Sequence, residues 1–161
     1  MLNQEFKHCD SDCCHDVTLT LHDCEAEKIS VEKDCIRFYL KEGFWIVPNH
    51  TENMVEKTVR TDAAMVEFRV EDVDDIYIEV FTRGIFRRTR AEYPEFREII
   101  QSVNNGKCRI EFIYQYRTFF EQMWRCALRF NKEPHYRECY LHLPKAEATF
   151  YWNDLRPECE W

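Results

Sequence analysis

From residue 24 onward, apolar and polar side chains alternate along most of the chain. A period of two is the signature of strands with one buried face. Residues 24–31 and 35–40 form two such runs, and Glu32, Lys33 and Asp34 between them signal a hairpin. Residues 44–47 are wholly apolar and stop at Pro48, as a short buried strand does, while residues 55–60 are weakly strand-like. Residues 65–70 set Met65, Glu67 and Arg69 against Val66, Phe68 and Val70. Residues 76–82 set Ile76, Ile78 and Val80 against Tyr77, Glu79 and Phe81. The acidic residues 71–75 read as the turn between them.

The period then changes to that of a helix. Pro94 opens a stretch in which Phe96, Ile99, Ile100 and Val103 make one apolar stripe, and Asn105 with Gly106 supplies the stop. A helix is predicted over 94–104, with its stripe facing the core. Alternation resumes at 108–117, where Cys108, Ile110, Phe112, Tyr114 and Tyr116 fall on one face. It continues through 123–130, 138–143 and 147–152, with turns at 131–134 and Pro144. Links this short join antiparallel neighbours. The expected fold is α+β and mostly β: an antiparallel sandwich or partly open barrel of about nine strands with one helix near 94–104. The expected organisation is a single domain over 1–161, with residues 1–15 a polar N-terminal arm.

Composition narrows the function. The 161 residues include three glycines (Gly43, Gly84, Gly106) and three serines (Ser11, Ser30, Ser102). The glycines fit no phosphate-cradling loop and the serines fit no nucleophile elbow. No apolar run reaches the roughly 20 residues of a membrane helix. The first residues lack the basic start and apolar stretch of a secretory signal, so a cytoplasmic location is expected, with no membrane partner.

The net charge of −8 is unevenly spread. Residues 1–80 hold 19 acids and 8 bases, and residues 81–161 hold 11 acids and 14 bases. A negative field repels nucleic acid and attracts basic partners. The candidate partner surface therefore takes Glu71, Asp72, Asp74 and Asp75 together with the aromatics Trp45, Tyr77 and Tyr151. Arg83, Arg87, Arg88 and Arg90, four arginines in eight residues, are a candidate anion site.

Nine cysteines raise the question of metal. Cys35, Cys108, Cys126 and Cys139 sit within apolar strand runs and read as core thiols. The N-terminal tract holds His8, Cys9, Cys13 and His15, ligand types that zinc prefers, so zinc is a candidate cofactor there. His22 and Asp23 are neighbours at the start of a strand. Adjacent strand residues point to opposite faces, so Asp23 reads as a turn residue rather than as part of a dyad.

Residues 21–24 (Leu, His, Asp, Cys), a hairpin, then Phe38, Tyr39 and Leu40 with Gly43 and Phe44 resemble small uncharacterised bacterial β-rich proteins. Tyr151, Trp152 and Asn153 extend the resemblance. Some of these proteins sit beside polymorphic toxins as immunity proteins. The resemblance implies a partner-binding domain and no catalytic residues. The expected function is a non-enzymatic protein-binding, immunity-like module. The alternative is a small-ligand-binding barrel or a metal-binding protein using the N-terminal tract.

Overall fold

The structure, a computed structural model, describes residues 6–10, 19–48, 50–83, 89–117, 121–144 and 146–160; for residues 6–10, Arg83 and Glu160 it describes the backbone alone. In chain order the strands are β1 (Phe6–Asp10), β2 (Leu19–Thr20), β3 (Cys24–Ala26), β4 (Lys28–Glu32), β5 (Cys35–Leu40), β6 (Trp45–Ile46), β7 (Val59–Thr61), β8 (Ala64–Arg69), β9 (Tyr77–Arg83) and β10 (Thr89–Glu92). After helix α1 (Phe96–Asn104) come β11 (Cys108–Arg117), β12 (Glu121–Phe130), β13 (Tyr136–Pro144), β14 (Glu147–Trp152) and β15 (Leu155–Glu160). All pairings are antiparallel among the described residues.

Three sheets result. One has the order β1-β14-β8-β5-β4, one β10-β9-β13-β12-β11-β3, and a small one β15-β7-β6-β2. The five- and six-stranded sheets share one core. Phe38 and Phe68 of the first meet Phe112 and Trp124 of the second in edge-to-face contacts at 5.2–6.5 Å. Such pairs add about 0.5–1.5 kcal/mol each beyond the area they bury. The fold is an α+β, mostly β sandwich, and it does not close into a barrel.

The small sheet is the bent continuation of the five-stranded one. Its strands β15, β7 and β6 follow or precede β14, β8 and β5 in the chain and keep the same lateral order. The bend is sewn together by Asp62, whose backbone N–H donates to the Asp154 carbonyl and whose carboxylate accepts from the N–H groups of Asn153 and Asp154. Gly43, at φ +74°, lies in the same line. A Cβ there would stand 2.2 Å from the Asp62 carbonyl, so only glycine fits.

Helix α1 lies where the periodicity places it and packs on β4 and β11. Phe96 and Val103 are buried, with Ile99 and Ile100 packed against the core. The Asn104 carboxamide covers the edge of β4 by accepting from the Ile29 N–H and donating to its carbonyl, both at 2.8 Å.

Among the described residues the strands number fifteen against about nine expected: β1, β10 and β15 lie outside the alternating runs, β2 is too short to display alternation, and the run 24–31 is divided into β3 and β4. A second difference matters more for function. Cys108, Ile110 and Phe112 are buried as expected, but Tyr114 and Tyr116 are 52% and 45% exposed. The register of β11 against β12 shifts between Phe112 and Tyr114. A bulge of one residue turns every later side chain to the other face. The segment before β3 stabilises it: the Asp23 N–H donates to the Phe112 carbonyl, and His22 Nδ1 donates to the Ile113 carbonyl at 2.5 Å. Asp23 itself takes the turn role expected of it, in the left-handed conformation at φ 55°.

Candidate functional site

The bulge creates a face. Beyond it, the outward positions of β11, β12, β13 and β9 line up in rows across the six-stranded sheet. One row runs Tyr116, Met123, His142, Tyr77, and the next Tyr114, Arg125, Tyr140, Glu79. Before the bulge, Glu25, Glu111, Ala127 and Glu138 form a third row, and Arg109, Arg129 and Tyr136 a fourth. The opposite parity, with Phe112, Cys126, Cys139 and Val80 in one row, points into the core.

Tyr77, Tyr114, Tyr116 and Tyr136 of this face are 45–56% exposed. Tyr93, just past β10, is 68% exposed and donates from its hydroxyl to Glu79 Oε1 at 2.9 Å. These five are all the strongly exposed tyrosines among the described residues, and the face collects every one.

The charges between the rings are paired diagonally. Arg125 Nε meets Glu138 at 2.7 Å, Arg129 meets Glu111 at 2.5 Å, and Arg109 meets Glu25 at 2.8 Å. The guanidinium of Arg129 also lies over the Tyr136 ring at 5.6 Å. His142 Nδ1 is 2.5 Å from Glu121 Oε1, and its ring stacks on Tyr77 at 4.1 Å with an interplanar angle of 9°. Partial burial, then the carboxylates of Glu121 and Glu79, push the Tyr77 hydroxyl pKa up. The Tyr93 hydroxyl is also held up, chiefly by its hydrogen bond to Glu79. Both phenols therefore stay neutral donors. Aromatic rings and glutamate-paired arginines on a sheet suit recognition of a protein surface.

The residues selected from the sequence are spread over the molecule. Glu71, Asp72, Asp74 and Asp75 lie in or beside a 3-10 turn of residues 73–75 that leads into β9, all four exposed. Asp72 caps that turn by accepting from the Asp74 N–H, and Asp74 pairs with Arg97. Tyr77 is two residues beyond, on the tyrosine face. Trp45 is half-buried on β6 of the small sheet, with the Arg60 guanidinium 4.8 Å over its ring. Tyr151 is buried on β14 of the five-stranded sheet. Of the aromatic candidates, Tyr77 alone lies on the face just described.

Arg90 is exposed on β10. Arg87, Arg88 and the side chain of Arg83 lie outside the described residues. His8 and Cys9 are in β1, opposite Phe150 and Thr149 of β14, with their side chains outside the described part, as are Cys13 and His15 altogether. Among the described residues no group of three or more histidine, cysteine, aspartate or glutamate side chains is placed to hold a metal. A cavity of about 330 Å³ opens beside the end of α1, lined by Glu27, Asn104, Arg109 and Asn131 among others. The Asn104 amide is engaged by Ile29, Asn131 by Gly106 and Arg109 by Glu25.

Sequence reasoning missed Tyr93, Tyr114, Tyr116, Tyr136, Tyr140, Arg125, Arg129 and His142. A signal was present: in β12 and β13 the positions alternating with the core carry arginine, tyrosine and histidine rather than short polar residues. No protein-family model, curated protein or solved structure matches this chain.

Proposed function

We propose that the protein is a non-enzymatic protein-binding module, immunity-like and cytoplasmic, that meets its partner with the outer face of the six-stranded sheet. The observation that carries this reading is the gathering of the five exposed tyrosines on that one face. Tyrosine and arginine dominate interface hot spots because they bury much surface at a low entropy cost. The pairing of Arg109, Arg125 and Arg129 with glutamates leaves no lone cation of these rows to desolvate when a partner covers the face, and Glu79 accepts from the Tyr93 hydroxyl. The residues that resemble bacterial immunity proteins support a binding role rather than a catalytic one.

The acidic turn at residues 71–75 adds a second expectation. It stands next to Tyr77 at one end of the face, and its charge would steer a basic protein toward that end. Affinity capture from cells of the source organism tests both parts. Wild type is compared with a Tyr114→Ser, Tyr136→Ser variant and with an Asp72→Asn, Asp75→Asn variant. The tyrosine variant should lose the captured protein. The acidic variant should keep it with weaker salt dependence. Capture that ignores the tyrosine substitutions would remove the sheet face as the docking surface.

A further inference from the structure

We infer that the occupant of the tyrosine face is a second copy of this chain, so that the protein is a two-fold homodimer joined through its six-stranded sheets. The inference rests on the reading of that face as a docking surface and places a second copy there, in place of the basic protein that the acidic turn at residues 71–75 would draw to its edge.

Charge argues for it first. Arg109, Arg125 and Arg129 are each held by a glutamate of the same face, and His142 is held by Glu121. The face sets five carboxylates (Glu25, Glu79, Glu111, Glu121 and Glu138) against these three guanidinia, so it holds only a small part of the net charge of −8 and most of the negative excess lies elsewhere. Two such chains repel, and they repel least when these surfaces meet. A basic protein drawn in by charge finds, among the described residues, one acid of the middle rows without a cationic partner, Glu79, and that one already accepts from the Tyr93 hydroxyl. A nucleic acid strand would stack on the rings, but the arginines that would take its phosphates are already bound to carboxylates.

Area argues second. A buried tyrosine removes roughly 150–250 Å² from water. The five exposed ones are 45–68% exposed, which leaves on the order of 500 Å² of tyrosine surface per copy. Two facing copies bury about 1,000 Å² from tyrosine alone, the lower bound of a specific interface, before Met123, Arg125 and Phe81 are added. Symmetry argues third. An isologous contact needs a patch that complements itself. This one carries tyrosine hydroxyls, which both donate and accept, beside carboxylates in adjacent rows.

Sedimentation velocity on the full chain, in reductant so that none of the nine cysteines cross-links copies, tests this. From about 1 to about 100 µM, wild type should move to twice the 19.7 kDa chain mass. Tyr114→Ser with Tyr136→Ser should weaken the dimer at least about tenfold, with a melting temperature equal to that of wild type at dilutions where both are monomers. Met54→Ser, at a position 91% exposed and not among the tyrosine rows, should leave it intact. Hydroxyl-radical footprinting of wild type is the readout should the double variant not fold: Tyr114, Tyr116 and Tyr136 should lose reactivity as concentration rises. A wild type that stays monomeric, or a dimer that ignores the tyrosine changes, overturns the inference. A monomer that still captures a different protein through these tyrosines leaves the docking reading standing, and a monomer that captures nothing brings both down.

Discussion

Cys24 is the cysteine whose position in the sequence misleads most. It follows a tract of histidines and cysteines, and its thiol is wholly buried, donating to the His22 carbonyl at 3.5 Å. Burial pushes its pKa from 9.0 up to about 12, although the nearby Arg60 guanidinium pulls the other way. At pH 8 only about one thiol in ten thousand is then a thiolate. Cys35, Cys108 and Cys126 are likewise shifted upward by burial, whereas Cys159 is partly exposed. Alkylation of native protein at pH 8, read by peptide mass spectrometry, should therefore mark Cys159 and leave Cys24, Cys35, Cys108 and Cys126 unmarked until denaturant is added. Rapid native labelling of Cys24 would contradict its placement. The pH dependence has a definite sign. Above about pH 9 the unfolded chain loses the Cys24 proton while the folded chain holds it to about 12, so this thiol lowers stability as pH rises through that window.

Among the elements, the bend between the five-stranded and small sheets makes the sharpest demand on residue type. Gly43 and Gly106 both have positive φ, at 74° and 68°. An added Cβ at Gly43 would collide with Asp62 and Thr61, while at Gly106 it would meet nothing within 4 Å. Gly106→Ala carries only the left-handed strain, about 1 kcal/mol. Gly43→Ala adds a backbone clash at a line of hydrogen bonds and should cost about 3 kcal/mol or more. Urea unfolding of the two variants against wild type checks the order, and an equal cost at both would refute the packing of the bend. The bend also marks the limit of what the pattern reveals. Alternation identifies the long strands β5, β8, β9 and β12 to β14, and proline with an apolar stripe identifies α1. The breaks at Gly43, Asp62 and Asn153 are set by tertiary hydrogen bonds, which leave no period. The site was hidden for a related reason. Phe112, Ile113 and Tyr114 are all apolar or aromatic, so the one-residue bulge cannot be seen in the run, and the tyrosines after it read as core. The register shift against β12 and the carbonyls taken by His22 and Asp23 show where the strand changes face.

At the scale of the whole molecule the chain is interleaved. The first described strand, β1, pairs with β14, and β3 pairs with β11, joining the beginning of the chain to its last third. The last third in turn supplies strands to all three sheets: β11 to β13 to the six-stranded one, β14 to the five-stranded one and β15 to the small one. Cutting before α1 at residue 93 would leave β14 without β8 and β13 without β9, and would strip β8 of the neighbour on its β14 side. Each piece would expose apolar faces that the other covers, including Phe38 and Phe68 on one side and Phe112 and Trp124 on the other. Fragments 1–93 and 94–161 should therefore each lack the cooperative urea transition of the intact chain. Mixing them should restore strand signal in far-ultraviolet circular dichroism, at a rate that rises with concentration. The intact chain should fold slowly for its size, on the millisecond-to-second scale or longer, because pairings such as β1 with β14 close most of the chain before they return any stability. A fragment that melts cooperatively by itself would mean that one sheet stands without the other, and the shared core would then be two separate cores.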